Sequence, residues 1–457
     1  FDTAARGDLG EVDLANALGA MPAQRGDVPC TWLGGGEIGL GLSAARGLHA
    51  RRGQLDAICS DALGAAVVAG EIYNVSEIRA ELDDEVEHLG GDSIGQVVLA
   101  ACRHWGAAAA LGRFNGIFAL AVWDAQTGTV TLARDHMGVK PLAYSWNGRA
   151  LTFGSDLRAL RALGGWEPRL DPSALADFFR FAYIAEPLSV YQGVCKLPPG
   201  HLLQLRRGSQ PTLHRYFSIS DTDRVREPAD SDGAVGDRLE ALIANACKLR
   251  VAGSEPVGVF LSGGVDSSLV AALMRRDLGA VHTFTIGFDD PRYDEAHHAE
   301  QVARHLGTVH RTLVVSENDA AGVVPDWAEL FDEPFGDYSG VPTFLAARMA
   351  REHVPAVMLA DGADELFGTY DTYESVYRRM RAASFGSGIG PLARAIAAAL
   401  PWDRLDGIVA RRSAHCDPGQ SRTRKLTSHF SYLQQASACT TAGHYFEYLT
   451  TTPQPTC

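Results

Sequence analysis

A serine- and glycine-rich segment stands between an apolar stretch and a helix pattern. Residues 257–261 predict a buried strand, and residues 262–268 read Ser-Gly-Gly-Val-Asp-Ser-Ser. Two glycines let a backbone approach an anion, the serine hydroxyls add donors, and the helix that follows offers free N–H groups at its positive end. The segment predicts a pyrophosphate-binding turn, with a plain strand-to-helix turn as the structural alternative. It is not a Walker A loop, because the Gly-Lys-Ser/Thr ending is absent.

Apolar strands and helices alternate from about residue 236 onward. After the strand at 257–261, the pattern predicts strands at 282–288 and 355–360 and helices at 269–276 and 295–306. Uninterrupted apolar strands with helical crossovers indicate a parallel sheet that is buried on both faces. Ligands of such sheets bind beyond the carboxyl ends of the strands, which is where the serine–glycine turn stands.

The first 165 residues have a different pattern, with short apolar strands joined by turns. Strands are predicted at 65–69, 116–124 and 129–133, and a hairpin with an Asn-Gly turn at 144–153. Successive hairpins favour antiparallel sheets that stack on one another. We therefore predict three parts: residues 1–165, a connector at 166–235, and residues 236–457.

Three carboxylates crowd the residues just past the predicted strand at 355–360. Asp361, Asp364 and Glu365 would repel one another without a cation. Mg²⁺ that bridges phosphates fits, since it prefers carboxylate and phosphate oxygens. The structural alternative is a helix start with acidic residues in its first turn.

These segments resemble a known family. The turn at 262–268 resembles the SGGxDSS signature of the ATP-pyrophosphatase superfamily, whose members split ATP into AMP and pyrophosphate. The second half resembles asparagine synthetase in particular, since segments similar to that family follow in its order at 293–296, 303–308, 332–335 and 361–368. The resemblance covers about residues 60–375.

The first half resembles the class II glutamine amidotransferase domain. Residues 70–74 match its GEIYN motif, and 115–119 and 134–142 match further on. The resemblance implies that Gly70 and Glu71 bind the glutamine backbone and that Asp92 pairs with the α-ammonium group. For Arg134 and Asp135 we expect a structural role, a buried ion pair that holds the sheet edge.

The resemblance implies a fold class and an activity. The expected fold is an α+β domain of stacked antiparallel sheets, Ntn-hydrolase-like, followed by an α/β domain with a parallel sheet, adenine-nucleotide α-hydrolase-like. The implied reaction converts aspartate, glutamine and ATP into asparagine, glutamate, AMP and pyrophosphate through an aspartyl-adenylate, with glutamine or ammonia as the nitrogen source.

The implied site comprises residues of the turn and of neighbouring strand ends. The expected ATP-binding residues are Leu261, Ser262, Gly263, Gly264, Asp266, Ser267, Ser268, Ile286, Leu359 and Ala360. Asp361 is the expected catalytic residue near the adenylate, and Asp266 and Asp364 are expected to orient Mg²⁺.

Some positions depart from the family pattern. Leu359 and Ala360 stand where Ser-Gly is usual, and the late lysine segment of the family has no match in residues 385–457. The family's nucleophile is an N-terminal cysteine, whereas this chain begins with Phe1. Either a short segment precedes Phe1, or the first domain no longer hydrolyses glutamine. The alternatives are therefore intramolecular amide formation, as in β-lactam synthetase or a lasso-peptide cyclase, and an ATP-binding pseudoenzyme.

Composition limits the remaining functional classes. A net charge of -14 argues against a nucleic-acid backbone as the main partner. No run of about 18 apolar residues or signal peptide is seen, so neither a membrane partner nor export is expected. The eight cysteines are scattered, without a CxxC pair. We expect a cytoplasmic protein with small-molecule substrates, and the resemblance alone implies a homodimer.

Overall fold

The computed structural model describes most of the first 368 residues. The described ranges are 11–21, 27–34, 38–45, 58–82, 93–224, 232–251, 256–290 and 294–368. The chain forms two compact units, residues 1–360 and 361–457. No described helix has both the length and the apolar character needed to cross a membrane.

Thirteen α-helices and fifteen strands are described within these ranges. The helices are α1 (Glu11–Gly19), α2 (Val75–Glu81), α3 (Ile94–Trp105), α4 (Ala107–Arg113), α5 (Leu157–Leu163), α6 (Pro172–Phe181), α7 (Asp232–Val251), α8 (Val265–Leu278), α9 (Ala296–Leu306), α10 (Glu317–Val323), α11 (Trp327–Leu330), α12 (Gly340–Arg351) and α13 (Ala363–Phe367). The strands are β1 (Asp27–Gly34), β2 (Ile38–Ala45), β3 (Ile58–Asp61), β4 (Gly64–Ile72), β5 (Gly116–Asp124), β6 (Thr129–Arg134), β7 (Ala143–Trp146), β8 (Leu151–Gly154), β9 (Val194–Lys196), β10 (His201–Arg206), β11 (Thr212–Arg215), β12 (Val257–Phe260), β13 (His282–Phe288), β14 (Val309–Val315) and β15 (Ala356–Met358).

A six-stranded antiparallel sheet dominates the first half, in the order β11-β10-β6-β5-β4-β3. Alternate side chains of its central strands point to opposite faces, as the period of a strand requires. Val68 and Leu120 pack with α2, α3 and α4 on one face. Val67 and Leu132 face a second core, which includes side chains from β2 and β8.

Two smaller antiparallel sheets supply that second core. Strands β1 and β2 form one, and β8-β7-β9 form the other. Ile38 and Leu40 of β2 and Leu151 of β8 are buried against the six-stranded sheet. The predicted α+β architecture of stacked antiparallel sheets is confirmed.

The second half of the first unit contains a parallel sheet, in the order β14-β13-β12-β15. Val257 and Val259 of β12 pack with residues of α7, α8 and α9 on one face. Phe284 of β13 packs with Ala350 of α12 on the other face. The prediction of an α/β domain with a parallel sheet covered on both faces is confirmed. Strand β14 and helix α7 were not identified from the sequence.

The strands within residues 166–235 belong to the sheets of the first half. Strand β9 pairs with β7, and β10 pairs with β6. Helix α6 begins as its capping pattern predicts, because the Asp171 side chain accepts hydrogen bonds from the backbone N–H groups of Ser173 and Ala174. The division at residues 165 and 235 stays a prediction.

Candidate functional site

The serine–glycine turn begins where β12 leaves the parallel sheet. Leu261 is buried, and its N–H donates to the carbonyl of Phe284 on β13 at 2.9 Å. The buried hydroxyl of Thr285 donates to the carbonyl of Leu261. Both backbone groups of Leu261 are therefore held by the neighbouring strand, which fixes the direction in which the turn leaves the sheet.

Two serine side chains close the turn from within. The hydroxyl oxygens of Ser262 and Ser267 lie 2.9 Å apart, and the N–H of Ser262 donates to Ser267 Oγ at 3.1 Å. The N–H of Gly264 donates to Ser262 Oγ at 3.2 Å. Ser267 is buried, whereas Ser262 is exposed. The buried serine thus supports a second serine that faces solvent, as a binding turn requires.

Gly263 has a backbone conformation and close neighbours that only glycine accommodates. Its φ is +84°, and a Cβ there would lie 2.7 Å from the backbone nitrogen of Ala299 and 2.9 Å from Cβ of His298. Those atoms belong to the first turn of α9. The turn therefore lies directly against a second helix start, which was not foreseen from the sequence.

Helix α8 begins at the turn without a side-chain cap. Its N-cap is Gly264, no side chain caps the first N–H groups, and Asp266 lies in the first turn. Ser268 Oγ is buried and has no hydrogen-bond partner. Uncapped helix N–H groups and an unsatisfied hydroxyl are the donors that a phosphate group would satisfy. The local chemistry of the turn fits a nucleotide phosphate.

Two of the expected ATP-binding residues, Leu261 directly after β12 and Ile286 on β13, belong to different packing clusters. Leu261 packs with the core under α8 and α9. Ile286 packs with the cluster that contains Val315 and Leu345, on the side of α12. The side chains of Leu261 and Ile286 therefore do not pack in the same cluster. Leu359 is exposed and Ala360 is half-buried, directly after β15.

The acidic segment 361–365 belongs to the second compact unit. Asp361 is exposed, Gly362 has a φ of +92°, and Asp364 and Glu365 lie in the first turn of α13. Asp266 belongs to the first unit. Within the described residues, no three His, Cys, Asp or Glu side chains come together as a metal site. The Mg²⁺ roles of Asp266 and Asp364 and the catalytic role of Asp361 stay predictions.

The GEIYN motif lies at the end of β4, beside β5. Gly70 has a φ of +117°, and a Cβ there would lie 2.1 Å from the carbonyl oxygen of Ile117. Glu71 is buried. Asn74 donates to the carbonyl of Arg113 at 2.9 Å and accepts from the N–H of Asn115 at 2.8 Å, so it ties the motif to residues 113–115. Asp92 lies outside the described residues, and the glutamine-binding roles stay predictions.

Arg134 and Asp135 are both buried, but the expected ion pair between them is wrong. Arg134 pairs with Glu186 at 3.0 Å and donates to the carbonyls of Gly138, Lys140 and Leu197. Asp135 accepts the N–H groups of Phe118, Met137, Val139 and Lys140. Most of these backbone partners lie in the turn after β6, between residues 137 and 140, so each side chain is satisfied by the backbone of that turn.

Sequence reasoning missed Thr285 of β13, which donates to the carbonyl of Leu261, and His298 of α9, which lies close to Gly263. A threonine in a predicted buried strand was the available signal for Thr285, because a buried hydroxyl needs a partner. For His298 there was none, since its contact with Gly263 depends on how α9 packs.

Comparisons with known proteins agree with the geometry of both halves. Residues 54–217 match the glutamine amidotransferase domain family, and residues 238–451 match the asparagine synthase family. A putative glutamine-hydrolysing asparagine synthetase of Methanocaldococcus jannaschii is 33% identical over 323 residues, which cover 68% of this chain and 60% of the relative.

Two further relatives are also named as glutamine-hydrolysing asparagine synthetases. A putative glutamine-hydrolysing asparagine synthetase of Mycobacterium bovis is 34% identical over 67% of this chain and 48% of the relative. Asparagine synthetase 1 of Bacillus subtilis is 29% identical over 77% of this chain and 55% of the relative. The chain thus spans about half the length of the curated relatives it matches.

Proposed function

The chain belongs to the glutamine-hydrolysing asparagine synthetase family, and from that premise we propose that it forms a carbon–nitrogen amide bond at the expense of ATP. The proposed substrates are aspartate, ATP and glutamine or ammonia. The products are asparagine, AMP and pyrophosphate; where glutamine supplies the nitrogen, water hydrolyses its side-chain amide to glutamate and ammonia.

The observation that carries the proposal is the turn at residues 262–268. It stands at the carboxyl end of a central strand of the parallel sheet and leads into a helix whose first N–H groups have no side-chain cap. A nucleotide bound there would place its outer phosphates against Gly263 and Gly264. Backbone N–H groups at a helix start favour an anion without a counter-charge from a lysine.

The proposed synthetase reaction has two steps, adenylate formation and amide formation. The side-chain carboxylate of aspartate attacks the α-phosphorus of ATP, and the bond to the pyrophosphate group breaks as the adenylate forms. Ammonia then attacks the acyl carbon, loses a proton, and AMP leaves. In the first step the turn would stabilise the charge that develops on the departing pyrophosphate, which is electrostatic stabilisation by donors fixed in advance.

The roles of the individual residues belong to the same proposal. Ser262, Gly263, Gly264, Ser267 and Ser268 would hold the phosphates. Leu261, Ile286, Leu359 and Ala360 would lie near the rest of the nucleotide. Asp361 would act near the adenylate. Gly70, Glu71 and Asp92 would bind glutamine in the first domain.

Mg²⁺ is the proposed metal. Asp266, in the first turn of α8, would hold it beside the phosphates, since carboxylate oxygens are its usual protein ligands alongside substrate phosphates. Bound there, the ion would offset phosphate charge during adenylation.

Intramolecular amide formation and a pseudoenzyme are the rival functions. Three of the most similar relatives carry the asparagine synthetase name, which favours an amide formed between separate substrates. An amidase of Gibberella zeae is also similar, at 27% identity over 68% of this chain, so similarity to these proteins does not by itself name the acyl substrate. The identity of the acyl substrate is therefore the part of the proposal that most needs a test.

The test is to measure nucleotide products with ATP, Mg²⁺ and aspartate, and with either glutamine or ammonia. We expect AMP and pyrophosphate in equal amounts with asparagine, and none without aspartate. ADP and phosphate instead of AMP would reject the adenylate mechanism. AMP formation with ammonia but not with glutamine would restrict the proposal to the synthetase reaction.

A further inference from the structure

A segment of the synthetase half reaches across to the first half of the chain. We name residues 329–336 the docking segment. It begins in α11 and ends before α12, and it contains Asp332 and Glu333. Every contact described below lies within the compact unit of residues 1–360.

Glu333 binds two separate groups of the first half. Its carboxylate pairs with the ammonium of Lys196 on β9 and accepts the N–H of Val190 at 3.2 Å. Lys196 also donates to the carbonyl of Ile184 at 2.7 Å. The side chains of Lys196 and Glu333 are each only 18% exposed, so removal of one partner would leave the other charge poorly solvated.

Asp332 caps a helix of the other half. Its carboxylate accepts the N–H of Leu157, the first residue of α5, at 2.7 Å. Arg158 of the same helix donates to the carbonyl of Glu329 at 2.6 Å. The N–H of Gly336 donates to the carbonyl of Ala182 at 2.8 Å. The docking segment is thus tied to the first half at both of its ends and at its centre.

The aromatic side chains of the docking segment lie against its own half. The ring centroids of Phe331 and Phe335 are 4.6 Å apart, and Phe331 lies 4.8 Å from the ring of Trp327. Trp327 donates its indole N–H to the carbonyl of Phe335 at 2.9 Å. Trp327 also packs in the cluster that contains Ile286 of β13. The ion pair of Lys196 with Glu333, the backbone of the docking segment and this aromatic cluster therefore connect Lys196 with β13, the strand beside the serine–glycine turn.

We propose that the docking segment is the connection through which the amidotransferase half positions the nucleotide edge of the parallel sheet, with Asp332 and Glu333 as positioning residues. This rests on the function proposed above. The two carboxylates bind groups of the first half, and the packing of the aromatic rings then restricts the position of β13. Neither carboxylate needs to touch a substrate.

The test compares Lys196→Met, Glu333→Gln and the double variant with the wild type. The readouts are KM for ATP and kcat for AMP formation with ammonia. Each single variant should raise KM for ATP roughly 3- to 30-fold, the range typical of coupling through packed networks, while kcat changes less. The double variant should be no worse than the worse single variant, because the two side chains act as one contact.

Two further variants separate positioning from general loss of stability. Lys196→Arg keeps the charge and a charged donor for Glu333, so its KM for ATP should lie closer to that of wild type than the KM of Lys196→Met does. Glu240→Gln breaks an exposed ion pair with Arg276 between α7 and α8, inside the synthetase half, and should leave KM unchanged. If Glu240→Gln raised KM as much as Glu333→Gln, the proposal would be wrong.

Failure of the proposed function and failure of the positioning role give different results. A wild-type protein that forms no AMP and binds no ATP would reject the proposed function itself. An active wild type with unchanged KM in both single variants would overturn the positioning role alone. Amide hydrogen exchange gives a second measurement: residues 284–288 should exchange faster in both single variants, and an unchanged rate there would contradict the proposal.

Discussion

Ser262 and Ser267 face each other across the turn that follows β12, with their hydroxyl oxygens 2.9 Å apart. The pair closes a small ring, because Ser267 Oγ also accepts the N–H of Ser262. The buried partner is Ser267 and the exposed one is Ser262. Ser267 therefore contributes to the shape of the turn, while Ser262 is free to contribute to binding as well.

Alanine at positions 267 and 268 should have different effects. Ser267→Ala leaves the N–H of Ser262 without its partner and should lower the free energy of unfolding by about 1–2 kcal/mol. Ser268→Ala removes a hydroxyl that has no partner and should cost less than about 0.5 kcal/mol, yet it should weaken ATP binding. Urea unfolding and calorimetric titration with ATP measure the two quantities. A larger stability loss for Ser268→Ala than for Ser267→Ala would contradict the assignment.

Alanine at the two glycines of the turn gives a matched pair. Gly263→Ala places a Cβ within 3 Å of the backbone of α9, at a φ of +84°. We expect it to lower the free energy of unfolding by roughly 2–3 kcal/mol or to shift the turn and abolish nucleotide binding. Gly264 has a φ of -69°, and a Cβ there meets only Ser262 Oγ at 3.3 Å. Gly264→Ala should cost less than about 1 kcal/mol by the same measurement. Equal losses would show that the packing against α9 does not matter.

The sequence was sufficient to predict elements whose signal is local. The sequence predicts β5 at 116–124 and β13 at 282–288, and both strands have those bounds, because apolar and β-branched stretches between turns admit few alternatives. The start of α6 was predictable from Asp171 and Pro172, since a cap depends on residues within one turn.

Features that depend on packing between distant residues were not predicted. Asp135 looked like a partner for its neighbour Arg134, yet it binds four backbone N–H groups of β5 and of the turn after β6. The contact of His298 with Gly263 arises from the placement of α9. Side-chain partners are chosen in three dimensions, and adjacency in the sequence carries little information about them.

The pair of Asp61 and Arg103 should make stability depend on pH in the acid range. Arg103 binds both oxygens of Asp61, at 2.6 and 2.8 Å, and this holds the pKa of Asp61 below its ordinary value, although burial opposes it. A carboxylate with a lowered pKa stabilises the fold above the pKa of the unfolded chain, near 4, and that contribution is lost as pH falls through the lower folded value.

Asp61→Asn should therefore lower the free energy of unfolding by about 0.5–1 kcal/mol at pH 7, since the pair is partly exposed, and by less at pH 3. Urea unfolding at the two pH values measures the difference. Glu81→Gln, which breaks a more exposed pair with Arg113, is the control and should cost less than about 0.5 kcal/mol at pH 7. A loss for Asp61→Asn that is equal at both pH values would contradict the electrostatic origin.

Two free thiols of the first half should differ widely in reactivity. Burial raises the pKa of the Cys102 thiol to about 12, and its side chain packs against the core under α3. Cys30 is exposed on β1. Since the thiolate is the nucleophile, Cys102 should react with iodoacetamide at pH 8 at least roughly 100-fold more slowly than Cys30. Peptide mass spectrometry over a time course measures both rates in one sample, and the unfolded protein in urea, where both should react alike, is the control. Rapid labelling of Cys102 in the folded protein would mean that α3 does not stay packed on the six-stranded sheet, because only exposure to water would restore an ordinary thiol pKa.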